Sequence, residues 1–225
     1  NTLYIVILAG LIAVPISIVT ALFIAKMTPK PISNFFQTII ELLASVPSIV
    51  FGVFGLGVVT KFVISLSTLF GRQTAGGIST ITTVIVLAMM ILPTITLLSI
   101  TAIKAVNTEL EKNSLALGAS KMQTYFKVTI VSAKSGIFAG IILGIGRALG
   151  EATAVSMVAG NAGSGPTFDI FATTRTLTST MLLGLKETTG VDYDIRFSVG
   201  IILIVLIIVT NLGLNYIKKR VGKFS

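Results

Sequence analysis

The sequence predicts an all-α membrane protein that crosses the bilayer several times. Composition and one pattern carry that prediction. Of the 225 residues, 53% are hydrophobic and only 11% charged, and the mean hydropathy is +0.98. A soluble domain holds about 25% charged residues. Several stretches are also apolar over the roughly 20 residues that a helix needs to cross a bilayer, and the basic residues cluster between them.

The first span is residues 1–25, which carry no charge before Lys26. It has no basic leading segment and exceeds the apolar core of a signal peptide, and Pro15 is tolerable in a membrane helix. A second apolar stretch runs from Phe35 to Phe70, interrupted by Glu41 and Pro47. Proline disfavours helix at the residue before it. The expectation is therefore a short lead-in helix, a break at Val46-Pro47-Ser48 and a span over Ile49–Val59. Gly52, Gly55 and Gly57 permit either close helix packing or simple flexibility. The third span lies within residues 73–103, opened by Gly76-Gly77 and kinked at Pro93. The fourth is expected from Ser135 to Ala159, where Gly136, Gly140 and Gly144 form a small-residue stripe that lets another helix approach closely. The fifth is Phe197–Ile217, ending in Lys218-Lys219-Arg220.

Orientation follows from lysine and arginine bias. Eleven of the 17 basic residues (Lys26, Lys30, Lys104, Lys112, Lys121, Lys127, Lys134, Lys218, Lys219, Arg220 and Lys223) fall on one side, against Lys61, Arg72, Arg175, Lys186 and Arg196 on the other. The richer side is read as cytoplasmic, so much of the formal charge of +9 reports topology. This places residue 1 outside and predicts a further span upstream, five here of an expected six. Residues 104–134 then form a basic cytoplasmic loop, residues 160–196 an outer loop and residues 219–225 a short basic tail. The outer loop holds a short amphipathic piece, Thr176–Lys186, with Leu177, Met181 and Leu185 on one face.

Several functions are excluded. The chain has no cysteine and no histidine, which removes disulfides, thiolate and imidazole metal sites, and catalysis through those side chains. No Gly-x-x-x-x-Gly-Lys-Ser/Thr string is present, and no cofactor or metal is expected. Without a basic-aromatic stripe, nucleic acid is not an expected partner; membrane lipid is. Little supports an intramembrane enzyme, since Glu151 is the one carboxylate placed at depth.

The string Gly144-Ile145-Gly146-Arg147-Ala148-Leu149-Gly150-Glu151 sets an arginine and a glutamate four residues apart inside the fourth span. Charge at bilayer depth costs at least ~2.5–3.5 kcal/mol, so such residues face a pathway or a partner rather than lipid. At that spacing on one helix the two side chains can also meet, and a structural ion pair sealing a helix interface is the competing reading.

The cytoplasmic loop reads as two capped helices. Thr108-Glu109-Leu110-Glu111 fits a capping box with Thr108 as N-cap and Glu111 at the third position. Gly118 suits the residue that ends this helix. Ser120-Lys121-Met122-Gln123 fits a second box, opening a helix that runs into the fourth span. A rigid knob and a plain connecting loop are both compatible with that pattern.

The segment Glu109-Leu110-Glu111-Lys112-Asn113-Ser114-Leu115-Ala116-Leu117-Gly118-Ala119-Ser120 resembles the EAA loop of ABC importer permeases, the helix that docks into the ATPase subunit. Leu115, Ala116, Leu117, Gly118, Ala119 and Ser120 carry the match. With Gly118 as anchor, the family's Glu-Ala-Ala falls on Lys112, Asn113 and Ser114, and its Ile-x-Leu-Pro on Val128, Ile130 and Val131. The glutamate and the proline are therefore missing, and Glu111 is one residue off. Val46-Pro47-Ser48-Ile49-Val50-Phe51-Gly52 and Gly146-Arg147-Ala148-Leu149-Gly150-Glu151 resemble the permease subunits of phosphate-specific ABC importers. Ala154-Val155-Ser156-Met157-Val158-Ala159-Gly160-Asn161 is similar to the PstC type rather than to its PstA partner.

The resemblance covers residues 1–218 and implies a type I, MetI-like permease bundle in a prokaryotic inner membrane. It further implies a second, paralogous permease subunit, two ATPase subunits docked on the coupling loops (Thr108, Glu109, Glu111 and Leu115–Ser120 in this chain), and an extracytoplasmic binding protein that delivers inorganic phosphate. Arg147 and Glu151 would line the pathway, and ATP hydrolysis would belong to the partners. The alternatives are a permease for another oxyanion, such as molybdate or sulfate, and an ATP-independent anion channel or carrier.

Overall fold

The computed structural model describes residues 1–222 other than Lys186 and Thr188. Eleven helices occur among the described residues: α1 (Thr2–Leu22), α2 (Lys30–Ser45), α3 (Ser48–Phe54), α4 (Thr60–Leu69), α5 (Thr80–Lys104), α6 (Thr108–Ala116), α7 (Lys121–Thr124), α8 (Ile130–Gly150), α9 (Thr153–Val158), α10 (Leu177–Leu182) and α11 (Val191–Gly222). Wider π turns at Phe23–Met27, Gly55–Val59 and Tyr125–Thr129 continue α1, join α3 to α4, and join α7 to α8. Five helical segments are long and apolar enough to cross a membrane: Thr2–Met27, Ser48–Leu69, Thr80–Lys104, Lys121–Gly150 and Val191–Arg220.

Five boundaries differ from the sequence reading. The second span extends to Leu69, because the wide turn at Gly55–Val59 carries the helix through the glycines. The lead-in helix is 16 residues long. The fourth span does not run to Ala159: α8 stops at Gly150, and α9 starts afresh at Thr153. The amphipathic piece shortens to α10, with Lys186 outside the described residues. At the C-terminus α11 carries helix through Lys219–Gly222, while Lys223, Phe224 and Ser225 lie outside the described residues.

The chain divides into two compact units. The first comprises residues 1–12, 46–90 and 145–210. Its core holds Val63 of α4, Leu87 and Met90 of α5, Leu149 of α8 and Val158 of α9, each almost fully buried. A loop caps α5 here. The free N–H groups that begin a helix need acceptors, and Thr80 and Ile81 donate to the carbonyls of Ala172 (2.9 Å) and Ile170 (2.8 Å). The Arg72–Asp169 ion pair (2.6 Å) fastens the same loop. The backbone N–H of Phe171, and then Arg72, hold the Asp169 carboxyl below its ordinary range.

The second unit comprises residues 13–45, 91–144 and 211–225. Ala21, Leu22, Ile24, Ile40, Ile100, Ile103, Ala133 and Ile137 form its core. The glycine stripe of α8 lies against α5. A Cβ at Gly136 would stand 2.5 Å from the Ala102 Cβ, one at Gly140 3.0 Å from the Leu98 Cβ, and one at Gly144 2.6 Å from the Ile95 Cγ1. Contacts under 3.0 Å would force a shift, so hydrogen at these positions is what permits this helix spacing.

Candidate functional site: a broken helix and a capped knob

The first candidate site lies in the first unit, where α8 gives way to α9. Ala148 and Leu149 are buried, and Arg147 is half-buried in the last turn of α8. Glu151 falls outside that helix. Its carboxylate Oε1 instead accepts the N–H of Ala154 at 3.0 Å, in the first turn of α9. Its carbonyl accepts the Thr178 hydroxyl at 2.8 Å, which fastens α10 to the break. The sequence reading offered Glu151 two roles, both drawn on an unbroken helix. The structure adds a third, N-terminal capping of a short helix by a carboxylate, which suits the positive end of its dipole.

What holds α9 is a groove in α3. A Cβ at Gly52 would stand 2.6 Å from the Met157 Sδ and 3.1 Å from the Ala154 Cα. One at Gly55 would stand 2.6 Å from Val86 and 2.9 Å from Val158. Close packing is therefore the role of Gly52 and Gly55, whereas Gly57 faces open space. Pro47 sits at the cap position of α3 and starts it where the groove must begin. Sequence reasoning saw the arginine, the glutamate and the glycines, and missed that α9 joins them. Gly150, a weak helix former just before an acidic residue, was the available signal.

The second candidate site lies in the second unit. α6 is capped by Asn107, whose side chain accepts the N–H of Glu109 at 2.9 Å, so the cap is one residue earlier than Thr108. Glu111 does not reach back to close a box. It turns inward to the Lys26 Nζ at 2.7 Å and accepts the Thr129 hydroxyl at 2.8 Å. Both members of the ion pair are about seven-eighths buried, and a buried lysine leaves a carboxylate little choice of partner. Gly118 has φ +86°, and the N–H groups of Gly118 and Ala119 close on the carbonyls of Leu115 (3.0 Å) and Ser114 (3.2 Å). This is the Schellman pattern that ends a helix. The box at Ser120 and Gln123 forms in both directions. The tip so framed is apolar: Leu117 is 90% exposed, and Leu110, Leu115 and Met122 are exposed beside it.

The five membrane-capable segments, the broken helix and the capped knob together define an all-α, multi-pass membrane protein. A family model described as "Binding-protein-dependent transport system inner membrane component" matches residues 6–223, and the chain belongs to that family. It is similar to the "Probable ABC transporter permease protein YqgH" of Bacillus subtilis, 36% identical over 95% of this chain and 68% of that one. It is also similar to the "Phosphate transport system permease protein PstC" of Pasteurella multocida (31%, over 96% and 73%) and of Mesorhizobium japonicum (34%, over 88% and 65%). Across eight such relatives the chain spans 54–73% of their length.

The fold is shared with a subunit of the inward-facing MetNI methionine ABC transporter at a TM-score of 0.72 and 17% identity, covering 98% of this chain and 92% of that one. It is shared with a chain of a bacterial alginate ABC transporter at 0.69 and 20%, covering 99% and 77%. The chain is an ABC importer permease subunit of the inner membrane.

Proposed function

We propose that this permease passes inorganic phosphate into the cytoplasm, with Arg147 in the pathway. The observation that carries the reading is a half-buried arginine where the fourth membrane-capable helix stops and the short helix α9 begins. Its relatives include several proteins named as PstC phosphate permeases. Irregular backbone at membrane depth is tolerated where it lines a cavity or is buried in protein, and transporter sites are built at such interruptions. A guanidinium offers two parallel donors to a pair of phosphate oxygens. Phosphate carries more negative charge than one arginine offsets, so a second cation comes from a second permease subunit of the PstA type. The knob of residues 107–124, with Leu117 at its tip, docks into a separate ATPase subunit. An extracytoplasmic phosphate-binding protein loads the outer side.

The test is uptake of labelled phosphate by the assembled transporter in proteoliposomes. Arg147→Gln should abolish it. Arg147→Lys, which keeps charge but loses the two-pronged geometry, should lower it by at least about tenfold, the equivalent of one charge-assisted hydrogen bond. Wild-type uptake by Arg147→Gln at normal abundance would overturn the reading.

A further inference from the structure

An open cavity of about 510 Å³ that Arg147 does not line lies wholly within the first unit, lined by Arg175, Arg196, Asp192, Thr180, Asn1 and Gly163 among others. The segments that build it are the loop after α9, α10 and the first turns of α11. Gly163 and Gly165 bring bare backbone to the rim, and a Cβ at Gly163 would meet nothing within 4 Å.

The two arginines are held differently. Arg196 donates from Nη1 to the Thr180 carbonyl at 3.2 Å, which fixes its position. The Nε of Arg175 is buried and has no hydrogen-bond partner among the described residues. A buried donor left unmade costs about 1–3 kcal/mol, and more when it is charged, so native proteins rarely keep one without a use. The cavity lining therefore holds two guanidiniums, Arg175 and Arg196, together with the Asp192 carboxylate and the Thr180 hydroxyl. That chemistry suits a tetrahedral oxyanion, and Asp192 suits one that still carries a proton.

We propose that this cavity is a second anion site, on the side that the basic-residue bias places outside, where Arg175 and Arg196 hold the oxyanion before it reaches Arg147. The order of the two sites rests on the phosphate-importer reading; the existence of the cavity site does not.

The chain has no cysteine, so a single introduced thiol is a clean probe. Gly163→Cys, with Ala162→Cys as a second position, is placed in the assembled transporter in proteoliposomes. The rate of modification by a membrane-impermeant maleimide is then measured against added inorganic phosphate or sulfate. Phosphate should protect the thiol. Arg175→Gln should raise the half-protecting concentration about tenfold or more, the loss expected for a charge-assisted pair of bonds. Arg175→Lys should fall between, and protection should persist in Arg147→Gln. No protection by either anion at either thiol overturns the proposal. So does protection indifferent to Arg175→Gln, or protection abolished by Arg147→Gln. Arg175-dependent protection by sulfate alone would keep the site and overturn the phosphate reading.

Discussion

The knob of residues 107–124 and the break at residues 147–158 are both interruptions of helix, yet opposite forces hold them. The knob is framed by polar bonds made almost within itself: Asn107 opens α6, Gly118 closes it, and Ser120 with Gln123 opens α7. Its apolar side chains point out, Leu117 most of all. At the break Glu151 caps α9 and its carbonyl holds Thr178, and α9 itself is seated by apolar contact in the groove at Gly52 and Gly55. The first arrangement leaves a rigid polar frame with an exposed apolar tip, and the second packs apolar atoms around few polar groups.

The largest expected effect separates the two regions by their dependence on a single charge. Lys26→Met leaves the Glu111 carboxylate in a mostly buried place without its cation, with only the Thr129 hydroxyl still donating to it. Breaking a buried pair from one side costs about 3 kcal/mol or more. Thermal unfolding of the purified protein should show that loss, and Lys26→Met with Glu111→Leu should recover most of it. Equal stability of the single variant and the wild type would mean that the knob is self-supporting. At the break the corresponding change is steric. Gly52→Val drives a branched side chain into Met157 and the Ala154 backbone, and overpacking of this kind costs about 1–3 kcal/mol. Gly57→Val, in open space, should cost far less in the same assay.

A smaller effect on stability should have a larger one on coupling. Gly118→Val forces a β-branched residue to φ +86°, at a cost of about 1–2 kcal/mol. The knob is surface structure, so the protein should still insert and purify. ATPase stimulation by loaded binding protein in the reconstituted complex should nevertheless fall sharply. Unchanged stimulation would reduce the segment to a connecting loop.

These regions also differ in how far the sequence revealed them. Capping signals are local, so Gly118 and the Ser120–Gln123 box were legible from neighbours in the chain. The exception is instructive. Thr108 and Glu111 have the spacing of a box, but Glu111 is drawn away by Lys26, which is 85 positions distant and invisible to local reasoning. The spans themselves were legible because bilayer thickness imposes length and apolarity. The break after Gly150 was only weakly signalled, by a poor helix former before Glu151, because the groove at Gly52 and Gly55 that receives α9 lies far away in sequence. The arginine cavity was unreadable for the same reason. Arg175 and Arg196 read as outer-loop charges, and only the fold brings them to one cavity.

The smallest expected effect concerns Glu151 and decides what its charge is for. As a cap for α9 it needs only an acceptor at the Ala154 N–H. A glutamine side chain still presents a carbonyl oxygen there, whereas alanine presents none. If capping is the whole role, Glu151→Gln should match the wild type within a few tenths of a kcal/mol, while Glu151→Ala should lose about 1 kcal/mol, the usual worth of an N-terminal cap. If the carboxylate also accepts a hydrogen bond from protonated phosphate, Glu151→Gln should keep its stability and change the ratio of phosphate to sulfate transported, because sulfate brings no proton at neutral pH. A binding protein that selected anions upstream would mask such a change, so the ratio must be measured in a background that transports without one. A stable Glu151→Gln variant with an unaltered ratio would leave the carboxylate as structure alone. A stable variant with an altered ratio would place proton recognition at the same residue that holds α9 in its groove.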